Sequence, residues 1–505
     1  MADRDEVPQA GMDSASPTVS PGLRPGVNCW RIERAGRAAV IIDADDYFRL
    51  ARAAMLKARH RIMLVGWDFD ARIRLGRAGE GDDGPEKLGD FILWLVKRRP
   101  ELEVCLLRWD LGALNTVFRG TTIFTLMRWM RHPRIRTKLD GAHPTGASHH
   151  QKIVVLDDSM AFCGGIDMTG DRWDTRAHRD GEALRRRPNG TPYPPWHDAT
   201  TALEGAAACA LAELARDRWH TAGGHRLEPV GQRTDCWPDG LDAQFRDTDL
   251  AIARTRPEMP GITRAHEVEQ LYLDLIARAK RFIYAESQYF ASRRIAEAIA
   301  RRLAEPDGPE FVLVNPVTAQ GWLEPVAMDT ARARLHEALR RADTRGRFRL
   351  YHPFTTAGEA IYVHAKIMIV DDAVLRVGSS NMNNRSLRLD TECDIAIDTA
   401  LPANAKAGPD ILAIRDGLLA EHLGTTPQEI ARRIAQSGSI VATVEALRGP
   451  GHSLRPYEEP DLSAVEAWLA DHEVLDPEGP EEAFESLSRR GLFRHGRLRR
   501  LLHRH

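Results

Sequence analysis

Two stretches of the chain carry the same chemistry-bearing residues at the same spacing. Residues 149–158 read HHQKIVVLDD and residues 363–372 read VHAKIMIVDD. Each has a histidine, a lysine two places on, a short apolar run and paired aspartates. One offset of 214 carries His150 to His364, Lys152 to Lys366, Asp157 to Asp371, Asp158 to Asp372, Gly164 to Gly378 and Asp167 to Asn381. The register selects His150 over its neighbour His149. One such motif could be a strand with polar ends, but two in one register point to catalysis.

Side chains alternate faces along a strand. His150 and Lys152 therefore share a face, as do His364 and Lys366. Asp157 and Asp371 stand at odd spacing from their histidines and are expected to be structural. Two histidines and two lysines meeting at one seam suit a phosphate diester. One neutral imidazole can attack phosphorus and form a covalent phosphohistidine. The other can protonate the leaving alkoxide, then take a proton from the acceptor. The lysines can hold the phosphoryl oxygens. The scheme needs no metal and no cofactor. A catalytic imidazole also needs an acid on its other nitrogen. Asp198, in PWHDATTALEG, and Glu392, in LDTECDIAI, are the candidates, each preceding a strand-like run.

The elements that must position these groups form an α/β programme written twice. From about residue 30, strand-like runs (AAVIID, RIMLVGWDF, LEVCLLRW, KIVVL) alternate with helical ones (DADDYFRLARAAMLKAR, KLGDFILWLVKRR, TTIFTLMRWMRH). Asp43 or Asp45 is the expected cap of the first helix. The second half repeats the alternation around FIYAESQYF, EFVLVNP, FRLYHP and KIMIV. The expected fold is two similar α/β/α sandwich halves about a pseudo-two-fold axis, with the active site at their interface. The expected parts are a disordered leader (1–28), a first half (29–220), a connection (221–250), a second half (251–424), and a helical extension with a basic tail (425–505). Segment 176–195 has loop composition.

The chain has 505 residues, 28% of them charged, and a formal net charge of −2. That balance gives no overall electrostatic footprint for nucleic acid, so none is expected as a partner. The six cysteines form no CxxC pair, which argues against zinc fingers and thioredoxin-like chemistry. His143, His178 and His197 read as surface or pocket histidines, and no metal cluster is expected. No run has the length of a membrane span and the start lacks an apolar signal core. The expected location is cytoplasmic or peripheral to a membrane, with export lacking a cleaved signal left open.

The duplicated HxKxxxxD motif, with FCGGIDMTGDRWD after the first copy and GSSNMNNRSLRLDTE after the second, resembles the phospholipase D superfamily. ESQYF at 286–290, WHD…LEG at 196–205 and LLAEHLG at 418–424 resemble phospholipase D proper. The resemblance implies that His150 is the nucleophile and His364 the acid and base. It implies phosphate contacts from Lys152, Lys366 and Asn381, and histidine orientation by Asp198 and Glu392. Gln288, Gly165 and Ser379 are substrate-side candidates, although the glycine pair at 164–165 also reads as a turn. Asp167 stands where the second half has Asn381. A carboxylate beside phosphate is unfavourable, so Asp167 is assigned a structural place. The implied reaction is hydrolysis of phosphatidyl head-group esters to phosphatidic acid by a monomer at a phospholipid surface, with a primary alcohol able to replace water. The competing readings are a nucleic-acid phosphodiesterase and a membrane-binding protein on this scaffold without catalysis.

Overall fold

In a computed structural model, the structure describes residues 22–76, 83–110, 122–320 and 328–460. The first half runs β1 (Arg31–Ile42), α1 (Ala44–Lys57), β2 (Arg61–Gly66), α2 (Leu88–Arg98), β3 (Glu103–Trp109), α3 (Thr122–Met130), β4 (Ile135–Asp140), β5 (Ile153–Leu156), β6 (Met160–Gly164), β7 (Trp196–His197), β8 (Ala199–Gly205) and α4 (Ala206–Thr221). The second half runs β9 (Phe245–Arg256), β10 (Ala265–His266), α5 (Glu267–Arg278), β11 (Phe282–Glu286), α6 (Arg293–Ala304), β12 (Glu310–Val314), α7 (Thr330–Ala342), β13 (Phe348–Phe354), β14 (Tyr362–Val363), β15 (Ile367–Val370), β16 (Val374–Gly378), β17 (Glu392–Asp398) and α8 (Gly408–His422). Then come α9 (Pro427–Ser437), α10 (Ile440–Leu447) and β18 (Ser453–Pro456).

The two halves share one 16-stranded sheet. Its centre is the antiparallel pair β1–β9. Outward on one side lie β8, β6, β5, β2, β3 and β4; on the other lie β17, β16, β15, β11, β12 and β13. The two orders are topologically equivalent, so the pseudo-two-fold axis passes between β1 and β9. Helices cover both faces. α4 and α8 pack with both halves' strands in one core, through residues such as Leu211, Trp219, Ile411 and Leu418. On the other face α1 and α2 close a first-half core, and α5 and α6 close a second-half core.

Residues 425–460 are not separate from this architecture: β18 pairs with β13 at the sheet edge. At the other end, Asn28 is buried and its side-chain amide donates to Asp274 at 2.8 Å, so residues 22–28 dock on the second half. The basic tail at 486–505 lies outside the described residues. No described helix is long and apolar enough to cross a membrane.

The motif runs are not single strands. β5 and β15 are four residues each, with His150 and Lys152, or His364 and Lys366, before them and the aspartate after. Asp157 and Asp371 hold left-handed backbone at φ 50 and 53. Asp157 accepts the backbone N–H groups of Arg59, His60 and Arg61 at 2.6, 2.8 and 2.7 Å, closing the entry to β2. Asp371 does the same for Lys280, Arg281 and Phe282 at 2.8, 2.9 and 2.8 Å. These carboxylates stand at the strand end away from the histidines. Asp157→Ala strands three amides around a fully buried position. It is expected to cost about 3 kcal/mol or more, read as a lowered urea midpoint at unchanged slope. Asp371→Ala, at a more open site, is expected to cost less.

Candidate active site

The histidines meet where the halves exchange short strands. β14 pairs in parallel with β7, setting Val363 against His197. The equivalent bridge on the other side sets His149 against Thr391. His364 N then donates to His197 O at 2.7 Å, and His150 N to Thr391 O at 3.1 Å. Each motif histidine is thus pinned beside the residue that precedes the other half's acid.

That register crosses the acids over. His150 Nδ1 lies 3.0 Å from both carboxylate oxygens of Glu392, a second-half residue. His364 Nδ1 lies 2.6 Å from Asp198 Oδ2, a first-half residue. Both acids are fully buried. The His150 side chain keeps 16% exposure and that of His364 keeps 6%, so both imidazoles remain open at one edge. Burial holds both imidazoles well below the ordinary histidine range, and Lys152 and Lys366 push the same way. Burial likewise raises Glu392 well above the usual carboxylate range and raises Asp198.

The lysines curl back toward their histidines. Lys152 Nζ donates to His150 O at 2.9 Å, and Lys366 Nζ donates to His364 O. Their other neighbours differ. Lys152 faces Asp167 at 3.3 Å, and Asp167 also accepts Trp67 N–H at 3.0 Å. Lys366 makes no ion pair within 4 Å among the described residues: its Nζ and Asn381 Nδ2 both lie 3.5 Å from Gln288 Oε1. Burial pulls Lys366 down to about 7. One half therefore holds its lysine in an ion pair with Asp167, and the other holds its lysine against the Gln288 side-chain amide.

Two expected substrate contacts have other work. The Ser379 hydroxyl donates to Glu392 Oε2 at 2.5 Å and is buried, so it braces the acid. Gly165 stands at the equivalent place, where an added Cβ would lie 2.2 Å from Asp198 Oδ1. It is kept bare by the close approach of Asp198. His149 is fully buried, with Nδ1 2.9 Å from Thr391 Oγ1.

The family model of phospholipase D matches residues 54–296 and 340–469. The chain belongs to the phospholipase D family. Phospholipase D A of Dictyostelium discoideum is 25% identical over 475 residues, covering 77% of this chain and 35% of that one. Phospholipase D alpha 2 of Oryza sativa subsp. japonica is 26% identical over 532 residues, covering 75% and 64%. The chain thus spans between about a third and just under two thirds of these phospholipase D relatives. Among solved structures, the phosphatidylserine synthase of Haemophilus influenzae Rd KW20 matches with a TM-score of 0.51 at 14% identity, over 83% of this chain and 98% of that one. That likeness is one of fold.

Sequence reasoning missed one cation at this site. The Arg172 guanidinium sits 4.3 Å over the Trp196 ring, whose centroid is 5.2 Å from that of His364. Its charge also lowers the His364 imidazole. Its only signal was position, in GDRWD just after the first motif; the second half has Ser386 at the same offset. The expectation for His178 and His197 needs correction. Both are fully buried, immediately behind Asp198, among Asp43, Glu286, Glu421 and His422.

Proposed function

We propose that the chain is a phospholipase D that hydrolyses phosphatidyl head-group esters through a covalent phosphohistidine. The observation that carries this reading is the pair of imidazoles, each held at Nδ1 by the opposite half's carboxylate, with two lysines and Arg172 gathered beside them. In the first step His150 Nε2 attacks phosphorus and the bond to the head-group oxygen breaks. His364, as imidazolium, gives its Nε2 proton to the departing alkoxide. Water then replaces the head group, and His364 takes its proton. The new oxygen attacks phosphorus, the P–N bond breaks, and phosphatidic acid leaves. A primary alcohol in place of water gives a phosphatidyl alcohol. Lys152, Lys366, Asn381 and Arg172 are assigned to the phosphoryl oxygens. The greater exposure of His150 supports it as nucleophile; the short Asp198 contact supports His364 as the group that becomes cationic.

The deciding experiment mixes the chain with phosphatidylcholine vesicles, with and without ethanol, and follows products by mass spectrometry. Phosphatidic acid alone, and phosphatidylethanol when ethanol is present, are expected. No lipid turnover together with cleavage of single-stranded DNA would overturn the reading in favour of a nuclease. A supporting prediction concerns Gly165→Ala, whose methyl displaces Asp198 from His364. A displacement near 1 Å is expected to lower kcat roughly 100-fold. The melting temperature should fall as well, because the methyl overpacks a fully buried site at a cost of about 1–3 kcal/mol.

A further inference from the structure

Behind the active site lies a second cluster that the proposed reaction does not use. One donor atom from each of Asp43, His178, His197 and Glu421 falls within 4.8 Å of all the others. His197 Nδ1 is 2.9 Å from Glu421 Oε1 and 3.2 Å from Asp43 Oδ1. His178 Nε2 is 3.2 Å from Glu421 Oε1 and 3.5 Å from Asp43 Oδ2. Ligands about 2.0–2.1 Å from a tetrahedral zinc stand roughly 3.3 Å apart; the two imidazole–Glu421 separations are near that spacing, and Asp43 offers one oxygen to each histidine at a similar distance. The four side chains are at most 2% exposed.

The outer contacts have the pattern of a metal site. A ligating histidine gives its second ring N–H to a carboxylate. His197 Nε2 is 2.9 Å from Glu286 Oε2, and Glu286 Oε1 in turn meets His422 Nε2 at 3.1 Å. His178 Nδ1 is 3.1 Å from Asp174 Oδ2, and Asp174 meets Arg185 at 3.2 Å. Arg176 holds the other oxygen of Glu421 at 2.5 Å.

Two atoms point inward without a hydrogen bond. His197 Nδ1 is fully buried beside two carboxylates yet makes no hydrogen bond, and Asp43 Oδ2 makes none either. A protonated Nδ1 would direct its hydrogen at one of those oxygens; a lone pair would face a shared ion. The backbone adds to this. Asp43 precedes α1 at the expected cap position, but its side chain makes no capping bond and its φ is 65. His178 also holds left-handed backbone, at φ 41. Non-glycine residues in that region are costly and persist where surroundings impose them.

We propose that Asp43, His178, His197 and Glu421 form a closed, four-coordinate structural site for a first-row divalent cation, with zinc the best fit. Two imidazoles and two carboxylates exclude calcium and magnesium, which take oxygen shells. The complete protein shell and deep burial leave no position for substrate, so the ion is structural. It ties together four places: the turn before α1, the 176–195 loop through His178, β7 through His197, and the end of α8. It also stands next to the Asp198 backbone, which bonds Asp43 in both directions: Asp198 N donates to Asp43 Oδ1 at 3.0 Å, and Asp43 N donates to Asp198 O at 2.8 Å.

The test reads metal, not turnover. The full chain is purified from zinc-supplemented culture, passed through chelating resin, and analysed by inductively coupled plasma mass spectrometry. About one zinc per chain is expected, falling below a tenth in His178→Gln and in Asp43→Asn. Cobalt substitution of the metal-stripped chain provides a second readout that needs no mutant. The intense visible absorption of tetrahedral cobalt is expected at one equivalent, with a rise in melting temperature. A metal-free wild type whose spectrum and melting are unmoved by added zinc or cobalt overturns the site, and the cluster is then a protonated ion-pair network. Undiminished zinc in both variants overturns the assignment of ligands.

Discussion

His150→Ala is expected to fold normally and to lose about 10⁵-fold or more in kcat, the scale seen when a nucleophile is deleted from a mutually dependent catalytic set. The truncation opens a partly exposed position and leaves the fully buried Glu392 still bonded by Ser379. Stability should therefore change far less than activity. His364→Ala should lose a similar factor on a natural head group. The two variants part on a substrate whose leaving group needs no proton, such as a p-nitrophenyl phosphodiester. His364→Ala then releases one equivalent of p-nitrophenol and stalls as a phosphorylated enzyme, because nothing activates water. His150→Ala releases none. Intact-mass analysis of the quenched His364→Ala reaction should show a single adduct on His150. A burst from His150→Ala with an adduct on His364 would exchange the roles. Normal turnover in either variant would remove the mechanism altogether.

How much of this was legible in the sequence follows from which information is local. The histidines, lysines and motif aspartates were readable because one offset repeats five residues: a histidine, a lysine, two aspartates and a glycine. The α/β alternation was readable because strand and helix periods differ. Asp198 and Glu392 could be named as the acids from their place before strand-like runs. Their crossing could not. It depends on the two-residue pairing of β7 with β14 and on the His149–Thr391 bridge, contacts too short to leave a pattern. Ser379 and Gly165 looked like phosphate contacts because small polar residues and glycines often are. Packing gave them to the acids instead. Asp43 shows the same limit: as a local signal it is a helix cap, and tertiary structure turns its carboxylate toward two histidines that are far away in sequence. The 20-residue difference between the motif offset and the acid offset, 214 against 194, is the loop that carries His178. Its composition shows only a loop, yet it delivers a buried side chain.

The crossed dyads carry the second large effect. Glu392→Gln keeps the shape of the side chain and is expected to lower kcat by about 10³–10⁴, the range found when an acid that fixes an imidazole tautomer becomes an amide. The physical reason is specific to this site. Ser379 Oγ donates to Glu392 Oε2, so the glutamine oxygen takes that place and its NH₂ turns toward His150 Nδ1. Nδ1 must then accept, the ring proton moves to Nε2, and the lone pair needed to attack phosphorus is gone. Adding Ser379→Ala frees the amide to flip, so the double variant should recover part of the loss. That reversal of sign is a coupling energy a mere packing defect would not show. Asp198→Asn acts on the other role. Its oxygen stays with Ala199 N–H at 2.8 Å, the NH₂ faces His364 Nδ1, and the imidazolium loses its stabilising anion. A similar fall in kcat is expected, with KM little changed because neither acid is assigned to the substrate. Activity within tenfold of wild type in both amide variants, at unchanged melting temperature, would detach the carboxylates from the reaction and leave them as packing for two histidines.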